Sequence, residues 1–168
     1  MSDGRTAICP GSYDPVTNGH LDIIGRAARV FDRVVVGVVD AQFRKQQPLF
    51  NADERRQFLV EATSELANVE VEIFSSLLVD FAREQDATAI VKGLRAISDF
   101  EFEFEMNQLN RSLAPDIESV YIIASPNYSF LSSTGVKEMA AFGGDVSSLV
   151  PRTVAAVLSE RLKDGPRT

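Results

Sequence analysis

At 168 residues the chain is long enough for one domain with a sizeable core, and its 45% hydrophobic and 24% charged content is that of a soluble globular protein. Its net charge of −7 (24 acidic against 17 basic residues) excludes a general nucleic-acid or anionic-membrane surface, so any anionic ligand needs a local basic pocket. The single cysteine, Cys9, excludes an internal disulfide, and with no secretory signal or transmembrane run the expected location is the cytoplasm.

Runs rich in Val and Ile at 6–9, 33–39, 69–74, 88–91 and 119–124 each predict a strand buried on both faces. Helical periods lie between them at 21–31, 53–66, 77–85, 99–113 and 136–142, with a last helix near 154–162. This alternation predicts an α/β fold in a single domain, 1–168: five parallel strands, doubly wound, with helices on both faces and right-handed crossovers. Asn51 and Glu54, like Ser98 and Glu101, have the spacing of a capping box, and Gly143-Gly144 is placed to end the preceding helix.

The segment DFEFEFEM, 99–106, alternates like a strand, but its continuation favours a helix. Phe102, Met106, Leu109 and Leu113 then share one side and Phe100 and Phe104 the nearly opposite one. The first face is expected on the sheet and the second against a neighbouring subunit.

In open parallel sheets, ligands bind beyond the carboxyl ends of the strands, where the strand order reverses. The loop CPGSYDPVTNGH, Cys9 to His20, follows the first strand. Gly11 permits close approach of backbone to ligand. Asn18-Gly19-His20 opens the first helix, so His20, the only histidine, falls where helix amides and dipole favour an anion. Taken alone, such a histidine is more often a surface or capping residue than a catalyst, and turn chemistry accounts for Gly11, Asp14 and Pro15 without a ligand. IVKGLR, 90–95, brings Lys92 and Arg95 to the end of the fourth strand; as charges alone they are equally well read as solvated surface cations. YSFLSST, 128–134, leads into a helix, where serines usually cap.

Thr17-Asn18-Gly19-His20 resembles the (His/Thr)-x-Gly-His phosphate signature of the nucleotidyltransferase superfamily. The wider GSYDPVTNGH, together with FDRVVVGV, LFNADER, LLVDFA, IVKGLRAISDFEFE, YSFLSSTGVKE and GGDVSSLVP, is similar to the bacterial phosphopantetheine adenylyltransferases over most of the chain. The resemblance implies a Rossmann-like sheet, transfer of the adenylyl group of ATP to 4′-phosphopantetheine, Mg²⁺ arriving with the nucleotide, a homohexamer, and feedback inhibition by coenzyme A. It assigns His20, Lys45, Lys92 and Arg95 to catalysis. It gives ATP Ser12, Tyr13, His20, Gly93, Leu94, Arg95, Glu103, Tyr128, Ser129, Phe130, Leu131, Ser132, Ser133 and Thr134. It gives the acceptor Ser12, Lys45, Leu78 and Lys92, with Leu77 beside them. In DAQFRKQQPLF this chain departs from the family with a longer loop. Counting from the left selects Arg44 for the family's substrate lysine and from the right Gln46, whereas Lys45 keeps the ammonium. The alternatives are a related transferase for another phosphorylated acceptor and a nucleotide sensor without turnover.

Overall fold

The computed structural model describes residues 4–41 and 46–163. Strand and helix alternate through β1 (Thr6–Gly11), α1 (Asn18–Val30), β2 (Arg33–Val39), α2 (Ala52–Ala62), β3 (Val69–Phe74), α3 (Leu78–Glu84), β4 (Ala89–Leu94), α4 (Ile97–Leu113) and β5 (Glu118–Ile123). A 3₁₀ turn, Pro126–Tyr128, then leads to α5 (Ser133–Ala141) and α6 (Arg152–Lys163). Among the described residues the strands form one five-stranded parallel sheet in the order β3-β2-β1-β4-β5. The order reverses between β1 and β4, which places the β1–α1 loop at the switch point expected for a ligand.

The central strands are buried on both faces because alternate residues feed two apolar layers. Ala7, Cys9, Val34, Val36 and Val38 pack with Ile24, Leu59 and Leu158 on one side, and Ile8 and Val35 pack with Val79, Phe81 and Ala82 on the other. The two edge strands correct the expectation of burial on both faces. In β3, VEVEIF, Glu70 and Glu72 stand exposed, and β5 has no fully buried position. An edge strand has one neighbour fewer and is covered less completely, so alternate positions stay in water.

Asn51 and Glu54 form the expected capping box at α2: the Asn51 side chain accepts from the Glu54 amide and the Glu54 carboxylate from the Asn51 amide, both at 2.9 Å. Gly143, at φ +80°, ends α5 as expected, and the Gly144 amide donates to the Met139 carbonyl. The box expected from Ser98 and Glu101 does not form. The helix starts two residues earlier, at Ile97 behind an Ala96 cap without a side-chain bond, and the Asp99 carboxylate accepts from the Arg95 amide at 3.0 Å.

The expected packing of α4 is also corrected. None of its residues is buried, and Phe102, Leu109 and Leu113 are 61%, 60% and 55% exposed where the sheet was expected to cover them. Polar contacts anchor the helix instead: Lys92 pairs with Glu103, and the Tyr121 hydroxyl donates to the Glu103 carbonyl. Phe102 and Met106 are thereby left to line a cavity at the end of the sheet.

Candidate active site

The β1–α1 loop is fixed before any ligand arrives. Thr17 caps α1, accepting from the His20 amide at 3.3 Å, while the Thr17 amide donates to His20 Nδ1 at 2.9 Å. His20 therefore occupies the reciprocal position of a capping box, usually held by Glu or Gln. The Tyr13 ring meets the imidazole edge-on, with centroids 5.0 Å apart, and its hydroxyl donates to the Cys9 carbonyl. Because Nδ1 accepts a bond, the proton of the neutral ring sits on Nε2. Burial, then the Arg95 charge, push the His20 pKa down to about 4, so at neutral pH the ring is an uncharged donor through Nε2.

Around this ring opens a cavity of about 1110 Å³ at the carboxyl ends of the strands. Ser12 and Tyr13 line it from the first loop, His20 from the first turn of α1, Lys92 and Gly93 from β4, and Arg95 from just past the end of β4. Glu103 comes from α4, Tyr128, Leu131, Ser132, Ser133 and Thr134 from the segment opening α5, and Leu77 and Leu78 from the start of α3. Cys9 also borders the cavity, and burial pushes its thiol pKa up to about 12, which keeps it protonated at neutral pH.

Arg95 is held in place by Asp99 (3.1 Å) and by the Leu131 carbonyl (2.8 Å), which links the end of β4 to the loop before α5. Lys92 Nζ lies 2.9 Å from Glu103, so a residue expected at the acceptor and one expected at ATP meet as an ion pair. Gly93 has a packing reason apart from any ligand, because a Cβ there would come within 2.9 Å of Ile23 on α1.

The expected site residues do not all converge. Leu94 is buried in the core, Ser129 turns its hydroxyl to the Pro126 carbonyl, and Phe130 is 70% exposed; none of the three lines the cavity. Arg44 and Lys45 lie outside the described residues, and Gln46 is exposed and away from the lining. Sequence reasoning missed Asp40, Ser75 and Ser76, which line the cavity just past the ends of β2 and β3 and were findable from strand-end position alone. It also missed Arg55, a buried arginine whose guanidinium donates to the Ser12, Val39 and Phe50 carbonyls and so holds the first loop against α2. Nothing in its helical segment distinguishes it from the neighbouring Arg56.

Residues 8–139 match the cytidylyltransferase-like family. The chain is 58% identical over 145 residues to a phosphopantetheine adenylyltransferase of Rubrobacter xylanophilus, covering 86% of this chain and 87% of that one. The chain belongs to the phosphopantetheine adenylyltransferase family. A family member from Streptomyces coelicolor is 51% identical over 95% of this chain and 99% of its own. As a member of this family the protein is an enzyme, a nucleotidyltransferase. Among solved structures, one from Vibrio parahaemolyticus assigned as a nicotinate-nucleotide adenylyltransferase superposes with a TM-score of 0.70 at 18% identity, covering 96% of each chain. A bifunctional NMN adenylyltransferase/ADP ribose pyrophosphatase of Francisella tularensis gives the same score at 15% identity over 96% of this chain and 52% of that one. At such identities the likeness establishes the shared α/β fold alone.

Proposed function

We propose that this enzyme transfers the adenylyl group of ATP to 4′-phosphopantetheine, giving dephospho-coenzyme A and pyrophosphate. The observation that carries the chemistry is the His20 ring, uncharged at neutral pH and held by Thr17 with its Nε2 proton left for a ligand in the cavity. The acceptor phosphate is already an anion at neutral pH, so no side chain has to remove a proton; positioning and charge stabilisation suffice. An acceptor oxygen attacks the α-phosphorus while the bond from that phosphorus to the bridging oxygen of pyrophosphate breaks. His20 donates to an α-phosphate oxygen as charge develops there, and Arg95 adds its guanidinium from the other side of the loop. Lys92 aligns the acceptor phosphate, with Lys45 of the longer loop as the second ammonium. Ser132, Ser133 and Thr134 face the leaving phosphates at the start of α5, and Leu77 and Leu78 receive the pantetheine arm.

Among the described residues no three His, Cys, Asp or Glu side chains converge as a metal cluster. Mg²⁺ brought with ATP would offset phosphate charge in the cavity.

The remaining expectations belong to the same reading. Among the described residues no helix is long and apolar enough to cross a membrane. We place the enzyme in the cytoplasm as part of the same proposal, and its net charge of −7 opposes a nucleic-acid or anionic-membrane surface. The same reading proposes a homohexamer with coenzyme A as the feedback inhibitor; Phe100 and Phe104, 52% and 53% exposed in one chain, support a subunit contact on α4.

The decisive experiment measures pyrophosphate release from ATP with phosphopantetheine, nicotinate mononucleotide or glycerol phosphate as acceptor. Release with phosphopantetheine alone is expected. Release only with another acceptor would make this a related transferase, and release with none would leave a nucleotide sensor.

A further inference from the structure

The proposed chemistry leaves unused a buried carboxylate at the centre of the opening motif. Asp14, its side chain only 9% exposed, accepts from the Leu49 and Phe50 amides, each at 2.9 Å, and from Lys137 Nζ at 2.9 Å. These three donors come from separate parts of the fold: the segment entering α2 and the middle of α5. Lys137 stands four residues after Ser133, on the same face of α5, and the Ser133 hydroxyl donates to the Pro15 carbonyl at 2.7 Å. The first loop and α5 are thus fastened at adjacent residues, Asp14 and Pro15, by two side chains one helical turn apart. Neither Asp14 nor Lys137 lines the cavity, yet their neighbours Tyr13 and Ser133 do.

We propose that Lys137, acting through Asp14, is a positioning residue for adenylyl transfer: it fixes the distance between the His20 loop and the opening of α5, the two elements that grip the nucleotide phosphates from opposite sides. The inference rests on the proposed function. ATP in its ground state is held by contacts spread over base and phosphates, whereas the transition state needs the α-phosphate aligned between both elements. Loosening the fastening therefore lowers kcat rather than ATP affinity.

The test compares the parent with Lys137→Met, Lys137→Arg and Asp14→Asn, each verified as folded by circular dichroism. Lys137→Met and Asp14→Asn are expected to lower kcat at least about tenfold with the KM for ATP within about threefold, because small misplacements near a reacting centre are costly. Lys137→Arg keeps the charge and reach and is expected to recover kcat to within about threefold of the parent. Independently of turnover, hydrogen exchange at the Leu49 and Phe50 amides is expected to accelerate in Lys137→Met while the β2 amides stay unchanged. Unchanged kcat, a loss confined to KM, or failure of arginine to restore kcat overturns the proposal. A parent that releases no pyrophosphate from ATP and phosphopantetheine refutes the proposed function instead. If pyrophosphate is released with another acceptor, the same kcat comparison is made with that acceptor and the same outcomes decide the positioning role; release with none overturns it.

Discussion

The Thr17 amide donates to His20 Nδ1 across 2.9 Å, so one side chain both completes the cap of α1 and lines the cavity, where the proposed reaction calls for a donor. The cap selects the tautomer: with Nδ1 engaged, the neutral ring can donate only through Nε2.

The two duties of His20 separate by substitution. His20→Gln keeps a residue suited to the capping box but removes the imidazole, and His20→Ala removes both. Each is expected to lower kcat by roughly 10² to 10³, the range for loss of one preorganised donor. Only His20→Ala is expected to lose about 1 kcal/mol of stability as well, a typical capping contribution. Parallel pyrophosphate assays and thermal melts check this, and wild-type turnover in either variant would remove His20 from the chemistry.

A pH dependence of stability follows from the same ring. The folded pKa is about 4 and the ordinary value is 6.5, so between these limits the unfolded chain binds the extra proton. Stability attributable to His20 is fully present above pH 6.5, declines as pH falls through the window, and stops declining below about 4. The limiting slope for one proton is about 1.4 kcal/mol per pH unit. His20 is the only histidine, so His20→Gln should flatten the slope between pH 5 and 6.5 in urea titrations. An unchanged slope would show that the ring is not depressed in this way.

The fold was legible because its strands hold short apolar runs, as in RVVVGVV, and because Asn51 and Glu54 mark the start of α2. The edge strands were less so: the alternating glutamates of VEVEIF already marked one wet face. For α4 the error was larger, since the Phe102 stripe reads as a core face by periodicity while its placement depends on Lys92 and Tyr121, which only the tertiary fold brings beside Glu103. The site was visible as motifs at strand ends. Its internal bonds were not, because an imidazole in a capping box, or a buried arginine serving several carbonyls, has no sequence pattern of its own.

The Lys92–Glu103 pair predicts how acceptor binding responds to mutation. With Glu103 at 2.9 Å, Lys92 is already oriented by an ion pair, beside the place proposed for the acceptor phosphate. Lys92→Ala is expected to weaken phosphopantetheine by about 1.5 to 3 kcal/mol, the value of a charge-assisted hydrogen bond, with ATP affinity little changed. Glu103→Gln combined with Lys92→Ala should cost less than the sum of the single changes, because the two share one interaction. Calorimetry with each ligand in turn is the measurement, and a loss confined to ATP would reverse the division of the cavity.

Assembly is the last expectation, and it rests on α4. Phe100 and Phe104 lie with ring centroids 6.0 Å apart on a helix that buries none of its residues within one chain. Covering a phenylalanine stabilises by roughly 1.5 to 3 kcal/mol, and a closed symmetric oligomer repeats that gain at every equivalent contact. Phe100→Glu with Phe104→Glu would instead place two charges against an apolar partner, at a cost that association cannot offset. The double variant is therefore expected to sediment as smaller species while circular dichroism still reports the folded sheet, whose core clusters include no residue of α4. Turnover is expected to fall with it, because Glu103 and Asp99, which hold Lys92 and Arg95, sit on the same helix. An unchanged sedimentation coefficient would mean that this face of α4 takes no part in the assembly, and that any oligomer closes through another surface.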